Sequence, residues 1–127
     1  MQKTNFNFIP NIQNPSPDYY CTWQTQLYAT SDGKPEGQRR AMNEESMFSD
    51  KFPYGWTSFY EKARGDLFFV MDDSWDVPPD GNEKMYGSLV LDRRKFASFY
   101  EGNTPEIAMQ KLCERVRSLG WKGLGGW

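Results

Sequence analysis

The sequence predicts an α/β fold built on parallel strands, and three observations carry that prediction. Residues 66–76 read Asp-Leu-Phe-Phe-Val-Met-Asp-Asp-Ser-Trp-Asp, an apolar run of strand length that opens onto two adjacent carboxylates and a tryptophan. Apolar runs of this kind suit strands buried on both faces, and in parallel α/β folds the C-terminal ends of the strands carry the chemistry. A helix with both of its ends marked starts at Thr104, and a Gly- and Trp-rich segment follows it. Strand, loop, helix and strand from Leu67 to Trp127 make one βαβ unit, and the region from Tyr19 to Asp72 reads as another.

In chain order, residues 1–18 hold Pro10, Pro15 and Pro17 at a spacing that excludes both a helix and a central strand, so this stretch is expected to be an extended arm. Tyr19-Tyr20-Cys21-Thr22-Trp23-Gln24 is dense in β-formers and predicts a first strand over 19–24. Ser31-Asp32-Gly33-Lys34-Pro35 is turn chemistry. Beyond it, good helix formers predict a helix over 36–48 with Ala41, Met42 and Phe48 as its apolar positions. A short aromatic helix is expected after Tyr54, stopping at Gly65 as its C′ residue. The second strand follows directly.

After Trp75 the chain reads Asp76-Val77-Pro78-Pro79-Asp80-Gly81-Asn82, a polar loop of the kind that usually carries function or disorder. Thr104 then provides an N-cap, Pro105 the N1 residue and Glu106 a first-turn negative charge. Ala108, Leu112, Val116 and Leu119 form one apolar stripe, and Gly120 closes the helix. The segment 121–127 begins a third strand.

Composition removes several classes of function. The 127 residues suffice for one ordinary domain. A formal net charge of −2 without a basic cluster argues against nucleic acid, whose binding needs clustered Lys and Arg. No window has the roughly 20 apolar residues of a membrane span, and the N-terminus lacks the apolar core of a signal peptide. A soluble, cytoplasmic protein is therefore expected. Cys21 and Cys113 are too few and too far apart for a disulfide framework or a thiolate metal site. With no histidine at all, His-activated nucleophiles and His-ligated metals drop out, so any acid–base work would fall to carboxylates. No cofactor and no metal is expected. Aromatics make up 17% of the chain, more than a core of this size needs, and flat apolar faces beside carboxylates suit sugar rings.

Three readings of Asp72-Asp73 compete. Asp is common where a strand gives way to a turn, because its side chain accepts backbone N–H bonds there. A metal loop could draw on Asp72, Asp73, Asp76, Asp80 and Asn82, but the spacing departs from the EF-hand pattern and Pro78-Pro79 stiffens its middle. In the third reading the two acids accept hydrogen bonds from neighbouring sugar hydroxyls while an indole covers the apolar face. Adjacent strand residues point to opposite faces, so this requires the strand to be turning already, as Ser74 and Pro78 suggest.

Asp72-Asp73-Ser74-Trp75 resembles the strand-two motif Asp-Asp-(Cys/Gly)-Trp of the melibiase-type α-galactosidases, glycoside hydrolases with a (β/α)8 barrel. The resemblance continues in Asp92-Arg93-Arg94-Lys95-Phe96, in the helix from Thr104 to Gly120, and in Gly125-Gly126-Trp127, four pieces in the family's order. Cys21-Thr22-Trp23 is similar to its Trp-bearing first strand. The chain departs from the pattern at Ser74, at Ala97 where the family has Pro, and by one extra residue between Lys122 and Trp127.

The resemblance implies a partial (β/α)8 barrel over residues 19–127, comprising roughly the first three strands and truncated in strand three. It implies that Asp72 and Asp73 bind sugar hydroxyls, that Trp23 walls the pocket, and that Trp75 packs behind the acids, a position a core tryptophan would equally take. A whole barrel needs about 250 residues. The family's nucleophile and acid/base lie on later strands, so this chain is expected to contribute sugar-binding acids to an O-glycoside hydrolase without carrying its catalytic pair. The alternative is a small non-catalytic α/β module that binds carbohydrate or protein.

Overall fold

A computed structural model describes residues 16–29, 34–78 and 87–127. The chain forms β1 (Tyr19–Cys21), three short helices α1 (Trp23–Tyr28), α2 (Pro35–Arg40) and α3 (Glu44–Phe48), and then two 3-10 turns at Trp56–Ser58 and Arg64–Asp66. β2 (Phe68–Met71), α4 (Ala97–Tyr100), α5 (Pro105–Ser118) and β3 (Gly123–Gly126) complete it. The three strands make one parallel sheet in the order β1-β2-β3, with Tyr20 opposite Phe69 and Phe69 opposite Leu124. The chain is thus a small mixed α/β fold: an open three-stranded parallel sheet with flanking helices.

The most faithful match to expectation is α5. Thr104 caps it with its side chain accepting from the Ile107 N–H, Pro105 occupies N1, and Ala108, Leu112 and Val116 are fully buried. Gly120 follows at φ +99°, a left-handed conformation that glycine adopts without a Cβ penalty.

Three of the expected elements have different bounds or forms. The first strand stops at Cys21 and not at 24, because the Thr22 N–H makes the last ladder bond to Val70 O and the chain then coils into α1. There the packing of Gln26 overrides the β-propensity of Thr22 and Trp23. The helix expected over 36–48 is two helices, since Asn43 takes an extended conformation and caps α3 by accepting from the Ser46 N–H at 2.9 Å. The aromatic segment after Tyr54 forms two 3-10 turns, and Gly65 lies inside the second of them and ends no helix. The arm over 1–18 and the turn at 31–35 fall largely outside the described residues, as do 79–82 of the polar loop.

Among the described residues, one core unites the elements. Phe69 and Met71 of β2 meet Leu112 and Val116 of α5, with Met42, Met47, Trp56 and Trp121 filling the gaps. Trp121 stands edge-on to Phe69 at 5.0 Å and donates through Nε1 to Thr57 O at 2.9 Å. The other face of the sheet, carrying Tyr19, Cys21, Phe68 and Val70, contributes nothing to this core. β2 accordingly alternates between fully buried and half-buried residues, where burial on both faces was expected. Among the described residues, no helix is long and apolar enough to cross a membrane.

Candidate functional site

The site is built where β2 ends. The Asp72 N–H donates to Thr22 Oγ1 at 2.9 Å, and the Asp73 N–H turns back to Asp72 Oδ1 at 2.7 Å. Ser74 then takes φ +80°, a left-handed conformation that carries the chain out of the strand. Its hydroxyl donates to Arg39 O at 2.8 Å and contacts the Asp73 carbonyl. From the next element, Lys95 Nζ donates to the carbonyls of Ser74 and Arg39.

The side chains are held as firmly as the backbone. The Cys21 thiol donates to Asp72 Oδ2 at 3.0 Å, and Arg39 Nε donates to Asp73 Oδ2 at 3.1 Å in a half-buried ion pair. Burial, followed by this bond to Asp72, pushes the Cys21 thiol up to about 11. It stays protonated and unreactive at neutral pH. An ionised carboxylate offers about four acceptor sites, so both acids keep lone pairs for a ligand.

Asp72, Asp73 and Trp23 line one cavity of about 640 Å³ at the C-terminal ends of the strands. Trp127, Asp76, Gly87 and Leu89 complete its wall. Trp23 is 37% exposed and Trp127 85% exposed, so both indoles offer accessible surface. Trp75 does not join them. Its ring lies in the core, and its Nε1 donates to Trp127 O at 3.2 Å, which steadies Trp127 from behind.

Three wall residues, Trp127, Leu89 and Gly87, do not stand out in the sequence as site residues. Trp127 was legible only as part of the Gly-Gly-Trp segment, and the Trp127 N–H bond to Met71 O at 2.9 Å brings it to the acids. Asp76, a candidate ligand in the metal-loop reading, instead uses its Oδ2 to accept from the N–H groups of Gly87 (2.8 Å) and Leu89 (3.0 Å). That bonding fixes the return of the loop, and the backbone pairing of Asp76 with Leu91 continues it.

The segment Asp92–Phe96 acts in support. Asp92 is buried and takes Arg94 Nη2 at 2.8 Å and the Arg94 backbone N–H at 2.9 Å. Burial alone would raise its carboxyl, but the hydrogen bonds and charge of Arg94, with the charge of Lys95, outweigh this and hold it below its ordinary value. Among the described residues, no three His, Cys, Asp or Glu side chains cluster to hold a metal ion, and no buried side-chain N or O atom lacks a partner.

Fold and cavity together define a class: a parallel α/β sheet whose strand ends present a carboxylate pair between accessible indoles. No family model, curated protein or solved structure matches the chain.

Proposed function

We propose that the chain binds carbohydrate, with Asp72 and Asp73 accepting hydrogen bonds from neighbouring hydroxyls while Trp23 packs against the C–H face of the ring. One observation carries this reading: two adjacent acids, which a regular strand would send to opposite faces, line one cavity with two indoles. Protein donors already orient both carboxylates, which favours neutral hydroxyl donors over a cation.

The finer reading places this unit within a glycoside hydrolase barrel of the melibiase type, as its sugar-holding edge. The one-sided sheet supports it. Parallel sheets are almost always covered on both faces, and a barrel would cover the face of Cys21, Phe68 and Val70 with its own interior side chains. In this reading Asp72 and Asp73 hold the substrate, and retaining hydrolysis would require a separate carboxylate pair about 5 Å apart.

Isothermal titration with galactose, glucose and N-acetyl sugars tests the binding. A saturable heat with at least one sugar is expected, weakened at least ~3-fold by Trp23→Ala, the worth of one aromatic contact. No heat with any of them contradicts the proposal. An aryl α-galactoside should be cleaved no faster than by an Asp72→Ala, Asp73→Ala control, and turnover above that control would sink the holding role.

A further inference from the structure

Building on the reading of the cavity as a sugar site, the geometry points to Thr22 and Gln26 as the positioning residues that aim the two acids. The acids meet at one cavity only because the chain turns directly after Met71. Two fully buried polar side chains hold that turn. Thr22 Oγ1 accepts the Asp72 N–H at 2.9 Å and donates its own proton to Gln26 Oε1 at 2.6 Å. Gln26 Nε2 then donates to Asp73 O at 3.2 Å and to Gln38 O at 3.3 Å.

This relay grips the N–H of one acid and the carbonyl of the other. It also ties β2 to α1 and α2, so the angle between the two carboxylates is set by groups that the ligand never touches. The Thr22 hydroxyl contributes a donor and an acceptor at once, a combination valine cannot supply and serine can. Water cannot replace it, because both side chains are sealed from solvent.

The test compares Thr22→Val, which keeps the shape, with Thr22→Ser, which keeps the hydroxyl. The first readout needs no ligand: amide hydrogen exchange at Asp72, followed by NMR. The wild-type amide should be protected, Thr22→Val should exchange it about 3- to 10-fold faster, and Thr22→Ser should restore protection. The second is the sugar dissociation constant of the folded chain, well below its melting temperature. It should rise about 3- to 10-fold in Thr22→Val and recover in Thr22→Ser.

A merely structural role would lower the melting temperature of Thr22→Val and leave that constant unchanged, which overturns the inference. So does a serine variant that fails as badly as valine, or an Asp72 amide that exchanges freely in the wild-type chain. The last result needs no variant to fold. Failure of the sugar reading looks different: the wild-type chain then binds no sugar, while the exchange rates still report whether Thr22 holds the acids.

Discussion

Ser74 shows how a single residue shapes the site. Its φ of +80° costs a non-glycine residue roughly 1–2 kcal/mol. Its hydroxyl offsets that by bonding the Arg39 carbonyl, worth about 1 kcal/mol. Ser74→Gly relieves the strain and loses the bond, so its urea midpoint should stay within about 1 kcal/mol of wild type. Ser74→Ala keeps the strain and loses the bond, with Lys95 Nζ still donating to the Arg39 carbonyl, and it should lose about 1 kcal/mol. Equal losses in the two variants would remove strain from the explanation. At this scale the sequence was readable where chemistry is local. Asp72 and Asp73 stand out because acids after an apolar run are visible in one dimension, and Trp23 is singled out only by the resemblance of Cys21-Thr22-Trp23 to a Trp-bearing first strand. Thr22 and Gln26 do not stand out, since nothing but three-dimensional packing distinguishes a buried amide from the many exposed ones.

At the scale of elements, β3 is made of glycine for reasons found on its neighbours. A Cβ at Gly126 would stand 2.9 Å from the Trp75 ring, and one at Gly123 would stand 2.7 Å from the Phe68 ring. Gly126→Ala should therefore cost about 1–3 kcal/mol in chemical denaturation by overpacking, although alanine is ordinarily harmless in a strand. It should also disturb Trp127, which Trp75 supports through its indole N–H. An unchanged midpoint would mean that the Trp75 ring is free to move aside. Elements whose signals agree were read correctly: α5 has its cap, its proline, its stripe and its terminal glycine all pointing to one helix. Where signals conflict, tertiary contacts decided. The β-formers at Thr22 and Trp23 yielded to the packing of Gln26, and the run of helix formers over 36–48 broke where Asn43 found a better bond as a cap.

At the scale of the molecule, one core among the described residues covers one face of the parallel sheet, and the cavity lies at the C-terminal ends of the strands. The parallel order was legible because strand, helix and strand alternate along the chain. The one-sided burial was not, because Phe68 and Val70 are as apolar as the core residues beside them. Half-buried ionisable groups of β1, with the buried Asp92, also set the pH range of stability. Burial raises the Cys21 thiol from 9.0 to about 11 and the Tyr20 phenol from 10.0 to about 12. Both groups favour the folded state while protonated. Their contribution is complete below about pH 9 and is lost as pH rises from there toward 12. Asp92 is held below its ordinary 3.8, so its contribution is present above that value and is lost as pH falls through the lower one. Urea midpoints should be level from about pH 5 to 8 and fall beyond pH 9, with Cys21→Ser reducing the first part of the alkaline fall. A midpoint that rises between pH 9 and 11 would contradict this assignment.

We propose that sugar binds where β1, β2 and β3 end, between the acids and the indoles. The most direct measurement is a two-dimensional NMR titration of the labelled chain with the sugars named above, following backbone amides and tryptophan indoles together. The expected result is saturable shifts confined to Trp23, Asp72, Asp73 and Trp127, which disappear in Asp72→Asn at the same sugar concentration. Shifts elsewhere in the fold, or shifts at these residues that survive Asp72→Asn, would contradict it.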